Sequence, residues 1–315
     1  MVKKIALICG IRGQDGSYLA EFLLGKGYEV WGTSRDIGSG KFNNLKFLGI
    51  QDKVHLVSMN TLDYMSVIRV INEILPDEIY NLSGQSSVGL SFEQPKETIE
   101  SIILSMLNIL EAVRENNKNI KIYHAGSSEC FGNTKNNPAN ENTPFEPLSP
   151  YAIAKTSASM LVKNYRSAYG MHVSNGILFN HESILRPERF VTQKILHAAN
   201  RINQGSNEKL SLGRINITRD WGWAPEYVQA MWIMLQQDKS DDYVIATGVT
   251  TTLEDFISHV FSVYGLDWQD HISYSKTLLR PLDIQNSYAD PSKAEKLLGW
   301  SASVKMPDLI EKLIQ

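Results

Sequence analysis

Cysteine is scarce in this chain of 315 residues: only Cys9 and Cys130 occur, too few for a disulfide framework. Both lie in strand-like stretches, so two buried thiols in a reducing cytoplasm is the plain reading. Long apolar runs are missing too, and none approaches the roughly 18 residues that a membrane span needs. The opening Met1-Val-Lys-Lys4 and the apolar residues after it superficially suggest a signal peptide. That run is short and leads into glycine-rich sequence without a cleavage site, so a first strand is expected. Positive charge is not in excess: 31 Lys and Arg face 34 Asp and Glu, a formal net charge of -3. This argues against nucleic acid as the partner. The seven histidines are scattered without ligand-like spacing, and His181 beside Glu182 does not make a metal site. Tandem repeats and low-complexity linkers are lacking as well.

Against these absences stands a regular alternation of strand and helix patterns. Ile5-Ala-Leu-Ile-Cys9 reads as a buried parallel strand. The turn Gly10-Ile-Arg12-Gly13-Gln14-Asp15-Gly16 follows, and then helical periodicity from Ser17. Strand, glycine turn and helix are what a phosphate-cradling loop needs, because glycines admit the pyrophosphate and the helix N-terminus supplies N–H groups. The spacing is GxxGxxG rather than GxGxxG. A second strand, Tyr28 to Gly32, leads to Arg35 and Asp36, where an adenosine ribose belongs. Arg35 suits a 2′-phosphate and Asp36 a free 2′-OH; the carboxylate would repel the phosphate, so NAD is expected over NADP.

Further strands are expected at Val54–Val57, Glu78–Leu82 and Ile122–Ala125, with helices at Tyr64–Leu75 and Ile99–Glu115. The expected fold class is α/β, a Rossmann-type doubly wound parallel sheet with a smaller C-terminal α/β lobe. Residues 1–179 and 217–250 are assigned to the dinucleotide domain, and residues 180–216 and 251–315 to the substrate lobe. Arg219 to Gln237 reads as a loop and a helix, Tyr243 to Gly248 as a sheet-edge strand. Thr252 to Tyr264 and Pro291 to Leu298 read as helices of the substrate lobe.

The chemistry is expected around Ser149-Pro-Tyr151-Ala-Ile-Ala-Lys155. Four residues apart on a helix, Tyr151 and Lys155 share a face. An ammonium beside a phenol favours the phenolate, which then takes a proton from an alcohol near neutral pH. Alone, the pair reads by default as two solvated surface residues. Gly126-Ser127-Ser128-Glu129 follows a strand, where the nicotinamide end of a cofactor would emerge. Its bland reading is turn chemistry. With Tyr151 and Lys155 it supplies a hydroxyl, a phenol base and a carboxylate for a second proton.

Several stretches together resemble the GDP-mannose 4,6-dehydratase branch of the extended short-chain dehydrogenase/reductases, over nearly the whole chain. They are Gly10-Ile-Arg-Gly-Gln-Asp-Gly-Ser-Tyr-Leu-Ala, Asn81-Leu-Ser-Gly-Gln-Ser86, Ser149-Pro-Tyr-Ala-Ile-Ala-Lys, and Asn175-Gly-Ile-Leu-Phe-Asn-His-Glu-Ser183. Phe190-Val-Thr-Gln-Lys194, Arg219-Asp-Trp-Gly222 and Asp290-Pro-Ser-Lys-Ala complete the set. The resemblance implies that Tyr151 deprotonates the sugar C4 hydroxyl while Ser127 binds O4. It implies that Lys155 holds the nicotinamide ribose, and that Glu129 moves the C5 proton and helps water leave from C6. Ser86, Asn180, Lys194, Arg219 and Arg280 would bind the substrate, chiefly its diphosphate, and Asp283 a ribose hydroxyl. Asn60 and Ser83 fall on positions near the adenine and the nicotinamide.

This chain departs from the pattern it resembles around the cofactor. Arg35-Asp36-Ile-Gly-Ser stands where an Arg-Arg-Ser-Ser loop is usual. Asn60 replaces an aspartate, Ser83-Gly84 replaces Ala-Ala, Ser127 replaces a threonine and Asp283 a glutamate. Ile184, Leu185 and Pro187 alter the following loop. The resemblance implies an enzyme acting on a GDP-linked manno-configured sugar, either GDP-mannose or a GDP-heptose of bacterial surface polysaccharide, while Asp36 and the departures point to NAD and the two thiols to the cytoplasm. The outcome is either a 4,6-dehydrated 4-keto sugar or C4 oxidation alone. A 4-keto-sugar reductase or epimerase, and a non-catalytic dinucleotide sensor, are the rival readings. A homodimer is expected, with a tetramer as the alternative.

Overall fold

The computed structural model describes residues 3–39, 41–116, 119–134 and 137–314. Met1 and Val2, part of the N-terminal reading, lie outside the described residues. The strands are β1 (Ile5–Cys9), β2 (Glu29–Ser34), β3 (His55–Ser58), β4 (Glu78–Asn81), β5 (Lys121–Ala125) and β6 (Val173–Leu178). They continue with β7 (Asn180–Glu182), β8 (Leu210–Leu212), β9 (Thr218–Trp223), β10 (Asp242–Ile245), β11 (Thr250–Thr252) and β12 (Ile272–Tyr274).

Seven of them form one sheet in the order β10-β6-β5-β4-β1-β2-β3, every neighbouring pair parallel. The order reverses between β1 and β4, which opens a crevice at their carboxyl ends, where ligands of doubly wound sheets bind. Strands such as Ile5–Cys9 are apolar throughout because helices cover both faces. One face carries the helices Gln14–Gly25 and Ala224–Gln236 over Ala6, Ile8, Tyr80, Tyr123 and Ile245. The other carries Tyr64–Ile74, Ser105–Glu115 and Pro150–Tyr169 over Leu7, Ile79, Ile122 and Val173. Each fully buried side chain of this size contributes about 1.5–3 kcal/mol.

A separate apolar cluster joins the helices Val191–Asn203, Leu253–Val263 and Asp308–Ile314 around Phe256, Phe261 and Trp221. β12 pairs with β8 beside it. The expected edge strand is present as β10. Arg219, expected on a loop, instead lies on β9, which pairs with β7 and β11. Those partners lie some forty residues before it and thirty after it, beyond the reach of a local pattern.

The helix expected over Ile99–Glu115 is interrupted. Pro95–Ile99 is α-helical, Glu100–Leu104 is a π-turn, and Ser105–Glu115 resumes the α-helix. The wide turn lies against Gly84, where an added Cβ would come 3.0 Å from Ile102 Cγ1. Such bulges re-aim a helix near a site.

Candidate active site

Gly10 closes β1 with φ of +94°, a conformation only glycine adopts cheaply, and an added Cβ would lie 2.8 Å from the Leu82 carbonyl oxygen. A Cβ on Gly16 would overlap the Gly10 carbonyl. Gly13 is the N-cap of the helix Gln14–Gly25, and no side chain caps that terminus. Backbone space, uncapped N–H groups and the positive end of a helix dipole therefore meet at the switch point. These residues fit the pyrophosphate of a dinucleotide.

Around this loop the polar side chains are largely engaged. The Gln14 amide donates to the His181 carbonyl at 3.2 Å and accepts from Ser183 Oγ at 2.7 Å. Arg12 donates to the Lys41 carbonyl at 3.2 Å and lies over the Phe42 ring. Arg35 is exposed. The Asp36 carboxylate accepts from Ser39 Oγ at 2.6 Å and Gly38 N–H at 2.8 Å, which hold it below the usual carboxylate range. Asn60 Oδ1 accepts from Leu62 N–H and shapes the turn before the next helix. Gly10, Arg12, Gly13, Gln14, Gly16, Arg35, Asp36 and Asn60 lie outside the main cavity lining, whereas Asp15 belongs to it.

That cavity has a volume of about 780 Å³ and gathers Ser83, Ser86, Ser127, Glu129, Tyr151, Lys155, Asn180, Lys194, Arg219, Arg280 and Asp283. Tyr151 and Lys155 reach it from the helix Pro150–Tyr169, which Ser149 caps by accepting from Ala152 N–H at 3.1 Å. Both are buried, at 9 % and 7 % exposure, so they are not a solvated pair. Lys155 Nζ donates to the Ala125 carbonyl at 2.7 Å and sits 5.8 Å from the centre of the Tyr151 ring.

The expectation that the ammonium lowers the phenol is corrected. Burial pushes the Tyr151 phenol up, with the Ser127 hydroxyl and Arg186 acting against it. Burial also pushes the Lys155 ammonium down to about 8. Desolvation dominates both groups, and Lys155 is not among the groups that act on the Tyr151 phenol. Ser127 Oγ accepts from Glu129 N–H at 3.3 Å, so it caps the short turn Ser128–Phe131 that presents Glu129. Burial raises the Glu129 carboxyl above its ordinary range, opposed by Arg219 and Arg280.

Across the cavity, Arg219 is 5 % exposed, which removes the reading of a plain surface charge. It donates to the Thr218 carbonyl at 2.9 Å and lies 3.4 Å from Asp283 Oδ1. Arg280 reaches the same oxygen at 3.1 Å, so one carboxylate is shared between two guanidinium groups. Lys194 Nζ donates to the Ser211 carbonyl at 2.6 Å. No group of three or more acidic, histidine or cysteine side chains suited to a metal occurs among the described residues.

Arg186, Arg189 and Arg214 also line the cavity and were missed from sequence. Arg186 lies 3.2 Å from Glu182 and 4.0 Å from the centre of the Phe190 ring. The run of arginines just after Asn180-His-Glu-Ser183 was the available signal.

Comparison with known proteins agrees with this architecture. The family model of GDP-mannose 4,6 dehydratase matches residues 7–313. GDP-mannose 4,6 dehydratase 1 of Arabidopsis thaliana is 47% identical, over 99% of this chain and 89% of that protein. GDP-mannose 4,6-dehydratase of Sinorhizobium fredii is 41% identical, over 99% and 96%. Among solved structures, UDP-glucose 4-epimerase of Thermus thermophilus with NAD superposes with a TM-score of 0.86 at 23% identity, covering 98% of this chain and 97% of that one. The dTDP-glucose 4,6-dehydratase of Bacillus anthracis with NAD gives 0.85 at 19%, covering 98% and 95%. Those two likenesses speak for the fold, whereas the family match and the sequence identities speak for descent. The chain belongs to the GDP-mannose 4,6-dehydratase family.

Proposed function

We propose that this protein is a GDP-sugar 4,6-dehydratase acting on a manno-configured sugar, GDP-mannose or a GDP-heptose, with NAD as its resident cofactor. The observation that carries the reading is one cavity holding a buried Tyr151–Lys155 pair, Glu129, and the cations Lys194, Arg219 and Arg280. Gly10–Gly16 and Ser83 would hold a nicotinamide dinucleotide, which would supply reversible hydride acceptance. Asp36 at the carboxyl end of β2 supports NAD over NADP, since a 2′-phosphate there would meet a carboxylate.

The protein's own groups divide the remaining work. In its phenolate form, which burial disfavours in the ligand-free protein, Tyr151 takes the proton of the C4 hydroxyl, which Ser127 orients. Lys155 holds the cofactor ribose and keeps a positive charge beside the phenol. Glu129, whose carboxyl burial raises, removes the C5 proton and returns one to the departing C6 hydroxyl as water. Lys194, Arg219 and Arg280 hold the diphosphate, with Asn180 and Ser86 beside it. On substrate entry Asp283 turns from its two arginines toward a ribose hydroxyl.

We assign residues 1–179 and 217–250 to the dinucleotide domain and residues 180–216 and 251–315 to the substrate lobe. Buried, unpaired Cys9 and Cys130 support a reducing cytoplasm, and no helix is long and apolar enough to cross a membrane among the described residues. A homodimer is supported by exposed Ile153 and Met160 on one helix with Ile99 and Leu104 beside them. The product suits bacterial surface polysaccharide.

The test is mass spectrometry of GDP-mannose and a GDP-heptose incubated with the purified protein and NAD, with absorbance followed at 340 nm. Loss of one water without net reduced cofactor is the expected result. Loss of two hydrogens with reduced cofactor accumulating would make it a C4 dehydrogenase, the alternative that the altered Ser83-Gly84 rim favours. Binding without any change in either sugar would overturn the catalytic reading.

A further inference from the structure

One residue before the carbonyl that holds Lys155, β5 carries a histidine with no part in the chemistry above. His124 is 2 % exposed, and neither ring nitrogen has a hydrogen-bond partner among the described residues. Its register partner on β6 is Asn175, fully buried, with both atoms of its side-chain amide equally unpartnered. Paired residues of parallel strands project to the same face. Here that face is the one beneath the helix Pro150–Tyr169, since neighbouring Ile122 and Val173 pack with Tyr151, Ala154 and Ala158. Ser159 stands one helical turn beyond Lys155, buried, its hydroxyl also unpartnered. A Cβ on Gly126 would lie 2.6 Å from Asn175 Oδ1, so the amide sits against the turn that leaves Ala125.

Leaving such buried atoms unmatched is costly, and folds rarely keep several together without a use. Lys155 has three N–H groups to place, and one of them donates to Ala125. We infer that His124, Ser159 and Asn175 are positioning residues for Lys155, joined to one of its two remaining N–H groups by ordered water, which keeps the ammonium charged and aimed at Tyr151 and leaves the other for the cofactor ribose. A bridging water needs two to four polar partners, and the Lys155 ammonium with these unpartnered groups supplies that many. This inference rests on the reading that Lys155 serves the reaction, and it adds the groups that make a buried lysine usable. The charged and titratable groups that act on Lys155 are Asp15 and Cys130, which favour its proton, with His124 and the Tyr151 ring beside it.

The test reads Lys155 directly in the ligand-free protein. Burial lowers its proton affinity from 10.5 to about 8. The unfolded chain therefore keeps a proton that the fold has lost, and stability rises with pH from about 8 toward 10.5. Denaturant unfolding across this window, for each variant with and without Lys155→Met, isolates that rise. In Asn175→Leu and His124→Phe the Lys155-dependent rise should begin about one pH unit lower, tenfold in proton affinity. The alkaline limb of kcat should move the same way. Ser159→Ala, which a helix accepts readily, should move it less, and Asn175→Asp should move it upward. Should the two apolar variants fail to fold, Ser159→Ala and Asn175→Asp decide alone. If the apolar replacements stabilise the protein and no variant displaces the Lys155-dependent rise, these groups are packing defects and the inference fails. If the wild type proves inactive, the reading of catalysis fails while the stability curves still decide this one.

Discussion

His181 Nε2 lies 2.9 Å from Asp15 Oδ2, while His181 Nδ1 lies 2.8 Å from the Phe179 carbonyl oxygen. Both ring nitrogens face acceptors, and Asp15 raises the ring's proton affinity against the opposing effect of burial, so the geometry favours the imidazolium. It stacks at 4.6 Å on Tyr227 and ties the first turn of the cofactor helix to the segment that follows β6. Its charge also offsets that of Asp15, which would otherwise face a bound pyrophosphate.

A pH dependence of stability follows from this pair. The imidazolium and Gln14 hold the Asp15 carboxyl at about 2, below its ordinary 3.8. Its contribution is complete above about 4 and is lost as pH falls toward 2. His181 is raised by Asp15; its contribution is complete below 6.5 and fades as pH climbs through the elevated value. Asp15→Asn should cost about 1–2 kcal/mol at pH 6 and flatten the acid side of a denaturant-midpoint profile. An unchanged acid limb would separate the pair from stability.

Tyr151→Phe removes only the phenolic oxygen. The expected result is a fall in kcat of roughly 10²–10⁴-fold, with the cofactor still bound, as read by fluorescence titration. Substantial residual turnover would place the base elsewhere.

Glu129→Gln keeps the shape of the side chain and removes its proton chemistry. C4 oxidation should persist while dehydration falls by about 10²-fold or more. In a single turnover, absorbance at 340 nm should rise and stay, with sugar two mass units lighter. Normal water loss would exclude Glu129 from the elimination.

Gly213→Ala probes the substrate side. A Cβ there would lie 2.8 Å from the Leu278 carbonyl oxygen, forcing back the loop that carries Arg280 and Asp283. KM should rise about tenfold with kcat within about twofold, the pattern of lost uniform binding. Steady-state kinetics with saturating cofactor would show it, and an equal loss in kcat would argue against this account.

Gly16→Ala should unseat the cofactor loop, since the added methyl meets the Gly10 carbonyl. Cofactor titration should show affinity reduced by about tenfold or more, with a loss of roughly 1–3 kcal/mol in stability. Wild-type affinity would mean that the loop has room to spare.

Much of the sheet was legible because its strands are short, apolar and spaced by helices. The glycine turn could be read because Gly10 and Gly16 have no steric alternative at their places. Tyr151, Lys155 and Glu129 were placed by motif, and the cavity gathers them. The direction of the Tyr151 shift was misread, because residue spacing reports proximity and says nothing of desolvation. β9 was missed because its partners are distant in sequence, and the π-turn because it answers to Gly84 across a helix–loop contact. Arg186, Arg189 and Arg214 became visible only once the chain had brought them to one wall.

β10 pairs with β6, yet 63 residues separate Leu178 from Asp242, and most of the cavity's cationic wall, from Arg186 to Arg219, is built in between. During synthesis β6 therefore waits as a bare sheet edge until the later segments have emerged and folded back. A nascent or truncated chain ending before Asp242 presents that edge, with its unsatisfied backbone groups, to any neighbour. The last strand to join the sheet thus replaces the bare edge of β6 with its own, where the Glu141 carboxylate already accepts from Val244 N–H.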